Sequence, residues 1–236
     1  MGSILKYKDK YFSILGDSLS TFKGVSEPSF AYFYDDAKKL EADVIAVSDT
    51  WWGMVIDYLG GKLLVNNSFS GSTVSYSPLY ECESYGCSKE RTSSLDKNGV
   101  EPDVIMIYLG TNDWGAGFKL KPTFLDREKS LSTFSTAYEE MLLKVKNKYK
   151  NAEIWCFTLT ESYSSKIEEF EFPKQKYGYS IADFSAVIKE VAESNGCKVI
   201  DLFKHCKPFD TIDGFHPNKE GMKTIATAVI DILKTE

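Results

Sequence analysis

Five apolar runs rich in β-branched and aromatic residues, at 11–15, 62–65, 104–109, 153–159 and 198–202, alternate with segments of helical periodicity. In those segments, at 50–59, 129–149, 181–194 and 218–234, apolar residues recur at three- and four-residue spacing. Few folds are open to a chain patterned this way. Near-continuous apolar strands need cover on both faces, and strands separated by helices pair in parallel through right-handed crossovers. The expectation is an α/β fold: a three-layer α/β/α domain on a five-stranded parallel sheet, flavodoxin-like, in the order 2-1-3-4-5. The 236 residues lie between one and two domains of about 150 each. No Pro/Gly/Ser linker divides them, so residues 1–236 are read as one domain.

Composition removes other classes. The formal charge of −6 argues against a nucleic-acid surface, because phosphate recognition needs basic patches. No run of about 18 apolar residues occurs, and the first twelve residues meet charge before any stretch long enough for a signal peptide. Membrane insertion is therefore not expected, and a cytoplasmic location is. Five cysteines without a C-x-x-C pair fit neither a disulfide framework nor a zinc site; only Cys82 and Cys87 stand close enough to suggest a bridge. Neither a metal nor a cofactor is expected. Asn66-Asn67-Ser68 is formally a glycosylation sequon, which has no meaning without export.

Three segments, 20–49, 66–102 and 160–180, are too long for simple connections, and each follows the carboxyl end of a predicted strand. Ligands bind at that rim of an open α/β sheet. A serine hydrolase needs a base that titrates near neutrality, and the chain has two histidines. His216 stands in Asp213-Gly-Phe-His-Pro-Asn, where a carboxylate three residues earlier can hold the imidazole tautomer; His205, in FKHCKP, lacks such company. Directly after the first strand comes Gly16-Asp17-Ser18-Leu19. The G-x-S-x-G elbow of α/β-hydrolases is absent, so a different scaffold has to present Ser18.

These residues resemble the SGNH, or GDSL, hydrolase family block by block. Gly16-Asp-Ser-Leu19 is similar to the first block and implies Ser18 as nucleophile. Asn67-Ser-Phe-Ser-Gly-Ser-Thr73 is similar to the second and implies Gly71. Tyr108-Leu-Gly-Thr-Asn-Asp113 is similar to the third and implies Asn112, and Asp213-Gly-Phe-His216-Pro to the last, implying the acid and base of a triad. The four come in the family's order. Asp49-Thr-Trp-Trp followed by Leu64-Val-Asn-Asn-Ser further resembles a bacterial branch of the family.

Elementary chemistry agrees with this resemblance. Ester hydrolysis builds negative charge on the carbonyl oxygen, and donors fixed in advance around that point supply the largest catalytic contribution. The N–H of Ser18, the N–H of Gly71 and the side-chain amide of Asn112 are the three candidates, each following one of the first three strands. Asp17 and Asp113 are assigned to loop hydrogen bonding, and at least one of Trp51 and Trp52 to the core. Segment 160–180 sets Phe170, Phe172 and Tyr177 among charged residues and is read as an amphipathic wall for the substrate.

The expected function is a metal-independent serine esterase cleaving a small-molecule carboxylic ester, such as an O-acetyl group on carbohydrate, through an acyl-enzyme. Lysophospholipase, thioesterase or acyltransferase action at the same site, and non-catalytic binding of an acylated ligand, are the alternatives.

Overall fold

A computed structural model of the chain describes residues 5–76, 78, 84–123 and 131–235. Its main sheet has five parallel strands: β1 (Tyr11–Gly16), β2 (Lys62–Ser68), β3 (Val104–Tyr108), β4 (Glu153–Phe157) and β6 (Lys198–Ile200), in the order β2-β1-β3-β4-β6. In main-sheet strands alone this is the expected 2-1-3-4-5. A separate pair, β5 (Ser162–Tyr163) with β7 (Phe209–Asp210), is also parallel. It was not anticipated, since two-residue strands carry no periodicity to detect.

The helices are α1 (Asp36–Ala42), α2 (Trp51–Tyr58), α3 (Lys89–Ser93), α4 (Thr111–Ala116), α5 (Phe134–Lys148), α6 (Ile181–Ser194), α7 (Leu202–His205) and α8 (Lys219–Lys234). They pack as two groups, α2 with α8, and α5 with both α3 and α6. Right-handed crossovers account for this division. The path from β1 to β2 runs one way along the sheet, those from β3 through β4 to β6 run the other, and opposite directions put the helices on opposite faces.

Because the sheet is covered on both sides, all five residues of β3 are buried. Trp51 and Trp52 are both fully buried, and Trp51 lies edge-on to Tyr108 at 5.6 Å and tilted against Phe157 at 5.2 Å. The sequence pattern ends β2 at Val65, yet the strand continues through Asn66, Asn67 and Ser68, all buried. The amide N–H groups there are paired, Asn66 Nδ2 donating to Ser20 O at 2.9 Å and Asn67 Nδ2 to Ser94 O at 3.2 Å, whereas Asn66 Oδ1 and Ser68 Oγ are buried with no hydrogen-bond partner among the described residues.

Caps set the helix starts. Ser180 and Asp183 form a reciprocal capping box on α6, and Asn218 Oδ1 accepts from Gly221 N at 3.0 Å to open α8. A Cβ on Gly221 would stand 2.1 Å from Asp210 O, so the α8 start sits directly on β7. Helix α5 begins at Phe134, and part of the longer 129–149 span lies outside the described residues. So does Cys82, and with it the suggested bridge to Cys87. Among the described residues no helix is long and apolar enough to cross a membrane.

Candidate active site

Strand β1 pairs with β2 on one side and β3 on the other, so the carboxyl ends of these three strands share one rim at the switch point of the sheet. Ser18 lies two residues past β1 in a short 3₁₀ turn, Ser18–Ser20, capped by Asp17 Oδ1 accepting from Leu19 N at 3.0 Å. Asn112 stands in the first turn of α4, immediately past β3. Gly71 follows β2 with φ +81°, and a Cβ there would meet nothing within 4 Å. Glycine is therefore required at position 71 by the backbone conformation, not by crowding from the protein, and the space beside it stays open.

His216 arrives from the opposite end of the chain. Residues 211–217 form a tight hairpin in which Thr211 pairs with Pro217, Ile212 N donates to His216 O at 3.0 Å and Gly214 N to Thr211 Oγ1 at 2.9 Å. Ser162 Oγ donates to Gly214 O at 2.6 Å, joining this hairpin to β5. Within the hairpin Asp213 Oδ1 accepts from Phe215 N at 3.0 Å and His216 N at 2.8 Å, an Asx turn that aims its second oxygen at the ring. Asp213 Oδ2 lies 2.7 Å from His216 Nδ1, and His216 Nε2 lies 2.9 Å from Ser18 Oγ. Three residues expected from the sequence to cooperate are thus joined in one hydrogen-bonded chain.

Partial burial is the largest influence on Asp213 and works to raise its pKa. The hydrogen bonds from the His216 ring and backbone, the His216 charge and the bond from Phe215 outweigh it and hold the carboxyl at about 2. The two neighbouring acids behave oppositely. Burial pushes Asp17 up to about 7, against the hydrogen bond from Leu19 and with help from the charge of Asp113. Burial likewise pushes Asp113 to about 6, against hydrogen bonds from Ser75 and Val74. Asp113 Oδ2 accepts from Val74 N at 2.8 Å and Oδ1 from Ser75 N at 2.9 Å, which clamps the loop after β2 to the first turn of α4. Both acids hold loops, as expected.

Asn112 Nδ2 donates to Ser72 O at 2.9 Å and has a long contact of 3.4 Å to Asp17 Oδ2. One amide proton therefore orients the side chain, and the other is only weakly engaged. Arg91 makes a further tie that the sequence did not signal. It is fully buried, donating from Nη2 to Gly16 O and Asn67 O at 2.8 Å each, from Nη1 to Ser72 Oγ at 2.9 Å, and from Nε to Asn67 Oδ1. One guanidinium thus fastens the Ser18 turn to the Gly71 loop. In the sequence KERTSS nothing separates this arginine from a solvated one.

Ser18 and His216 open onto a cavity of about 290 Å³ walled by Leu19, Trp114, Ala116 and Phe215, with Thr111, Asn112 and Lys176 as polar lining. A larger hollow of about 760 Å³ lies beside β2, lined among others by Lys23, Phe30, Tyr32 and Asn66. It holds neither Ser18 nor His216, so chemistry and not size identifies the site. Of the aromatics in 160–180, none lines the smaller cavity directly. Phe172 stacks behind Trp114 at 5.2 Å and 10° and lies 6.2 Å from Phe215. Phe170 occupies the place a Gly214 side chain would take, Tyr177 packs on Gly117, and Lys176 is the loop residue that reaches the lining.

A hydrogen-bonded Ser–His–Asp chain at the switch point of a parallel α/β sheet is the build of a hydrolase. The protein belongs to the GDSL-like lipase/acylhydrolase family, which it matches over residues 10–233, and is a hydrolase of ester bonds. It is similar to two structures assigned as GDSL-like lipases. One, from Bacteroides ovatus, shows 27% identity and a TM-score of 0.72 over 97% of this chain and 100% of that one. The other, from Bacteroides uniformis, shows 29% identity and a TM-score of 0.71 over 97% of each. A carbohydrate acetylesterase from Sinorhizobium meliloti shares the fold, with 16% identity and a TM-score of 0.63 over 96% of this chain and 99% of that one. No curated protein sequence matches the chain.

Proposed function

We propose that the protein is a serine esterase that removes a small acyl group, acetyl above all, from a carbohydrate hydroxyl. The observation that carries the mechanism is the contact series Ser18 Oγ, His216 Nε2, His216 Nδ1, Asp213 Oδ2 at 2.9 and 2.7 Å. Ser18 Oγ attacks the ester carbonyl as His216 Nε2 takes its proton, and the oxyanion is met by the N–H groups of Ser18 and Gly71 and the amide of Asn112. Collapse expels the alcohol, which leaves with the proton from His216, and water then repeats the sequence to release the acid and restore Ser18. No metal is assigned a step.

The acyl preference is supported by the cavity, whose roughly 290 Å³ falls at the small end of ligand pockets. The carbohydrate preference draws on the neighbour from Sinorhizobium meliloti, which is a carbohydrate acetylesterase. Segment 160–180 contributes to specificity from behind the first layer: Phe172 supports Trp114 and Phe215, while Phe170 and Tyr177 fix the loop to the body. The test is a panel of p-nitrophenyl esters from acetate to palmitate, run beside acetylated sugars. Acetate is expected to give the highest kcat/KM and the sugars to be deacetylated. A preference for long chains would replace this reading with a lysophospholipase or thioesterase.

Asn112→Ala is expected to lower kcat by about 10²- to 10³-fold with little change in KM, as befits a donor that acts on the developing oxyanion. A raised KM at unchanged kcat would instead make Asn112 an ordinary substrate contact. Because its amide also joins Ser72 O, circular dichroism and thermal unfolding of the variant check that the loop after β2 has held.

A further inference from the structure

We propose that Phe33 is a positioning residue for the base: its ring fixes the plane of the His216 imidazole for proton transfer. The inference rests on the reading of Ser18 and His216 given above and concerns a residue outside all four motif blocks. Two in-plane hydrogen bonds, at Nδ1 and at Nε2, locate the edges of the imidazole. They leave a softer motion, a tipping of the ring out of its plane about the Asp213 contact. Tipping bends the hydrogen bonds more than it stretches them, and it carries Nε2 and its lone pair off the line to the Ser18 hydroxyl. Displacements of about 1 Å at a reacting centre can cost about 10²-fold in rate, so this freedom has to be removed.

Phe33 removes it. Its ring lies parallel to the imidazole, with centroids 3.4 Å apart and planes within 7°. A flat wall at van der Waals distance blocks tilt toward that side. The phenyl face also attracts a cation, so the contact strengthens as His216 takes the proton of Ser18.

The wall is itself anchored at both ends of the hydrogen-bonded chain. Phe33 N donates to Thr21 Oγ1 at 2.9 Å, and Thr21 Oγ1 donates to Ser18 O at 2.9 Å. The next residue, Tyr34, is fully buried and donates its hydroxyl to Pro217 O at 2.6 Å, one residue past the histidine. The dipeptide Phe33-Tyr34 thus bridges the backbone of the Ser18 turn to that of the His216 hairpin, 198 residues apart in sequence.

The experiment compares Phe33→Leu, which removes the flat face but keeps an apolar side chain, with Phe33→Tyr, which keeps the face. Each is assayed on p-nitrophenyl acetate and for the rate of Ser18 labelling by a small fluorophosphonate. Thermal unfolding checks that each variant is folded, which the half-buried loop position of Phe33 favours. Phe33→Leu is expected to lower kcat and the labelling rate tenfold or more with KM within about twofold, and Phe33→Tyr to stay within about threefold of the parent. A Phe33→Leu enzyme that keeps its kcat, a loss confined to KM, or a Phe33→Tyr enzyme as slow as Phe33→Leu would overturn the proposal.

A second readout needs no turnover. With two histidines in the chain, the His216 imidazole resonances are readily assigned by nuclear magnetic resonance. The ring-current shift from the stacked phenyl should vanish in Phe33→Leu and persist in Phe33→Tyr. Its absence from the parent protein would refute the stack. Its presence in a parent that neither hydrolyses esters nor reacts with fluorophosphonate would refute the catalytic reading instead.

Discussion

Replacing Ser18 by alanine is expected to lower kcat/KM for p-nitrophenyl acetate by about 10⁴-fold or more, a barrier increase of about 5 kcal/mol or more. The size follows from the role proposed for the side chain. Ser18 Oγ is the atom 2.9 Å from His216 Nε2, and without it no acyl-enzyme can form. The oxyanion donors survive the change, because they are main-chain groups and Asn112, and so a small residual rate over water remains. The fold should survive as well. Ser18 is buried, but its turn is held by Asp17 Oδ1 on Leu19 N and by Thr21 Oγ1 on Ser18 O, neither of which uses the Ser18 hydroxyl. An unchanged melting temperature together with loss of fluorophosphonate labelling is the expected signature. Activity within tenfold of the parent would move the nucleophile to another residue.

The elements legible in the sequence were those whose burial repeats. Strand β3 is buried at every residue and α6 presents regular apolar positions behind a capping box, so both were delimited to within a residue. What escaped detection was held by single contacts. β5 and β7 are two residues each and exist because Ser162 and Asp210 lie where the histidine hairpin meets the long loop. Helices α1, α3, α4 and α7 span four to seven residues, too few for a period to show.

The same division holds at the site. Ser18, Asp213 and His216 announce themselves because each sits in a short motif whose spacing has chemical meaning. Arg91 and Phe33 do not, because their work depends on which distant backbone they meet. Arg91 reaches Gly16 O across 75 residues and Phe33 reaches a histidine near the far end of the chain. The aromatic run Phe30-Ala-Tyr-Phe-Tyr34 was the one available signal, since such density in a long loop beyond a strand end marks contact with something. The aromatics of segment 160–180 carry the complementary lesson. Sequence places rings near a rim but does not say which layer they enter, and here Trp114 and Phe215 stand between Phe172 and the cavity.

Asp213→Asn is the second change expected to act on the order of 10⁴-fold in kcat, and it does so without removing a contact. In the parent, a carboxylate oxygen 2.7 Å from Nδ1 accepts a hydrogen bond and therefore requires a proton on that nitrogen, which leaves Nε2 free to receive the proton of Ser18. Asparagine keeps an oxygen to accept from Phe215 N and His216 N, at the 3.0 and 2.8 Å now made by Oδ1, so the turn and the hairpin stay folded. Its NH₂ then faces the ring as a donor, the proton moves to Nε2, and the base is blocked by its own tautomer. The pH response separates this from a stability effect. Asp213 is held at about 2, so the parent keeps its carboxylate across the working range, and the stability that this low pKa confers is lost only as pH falls below the unfolded value of about 3.9 toward 2. The parent should therefore be the more stable of the two near neutrality, by a contribution the neutral amide lacks, and lose that margin in acid, while kcat differs at every pH. If Asp213→Asn retains more than about a tenth of the parent kcat with its fold intact, the carboxylate is a support for the hairpin and not the orienter of His216.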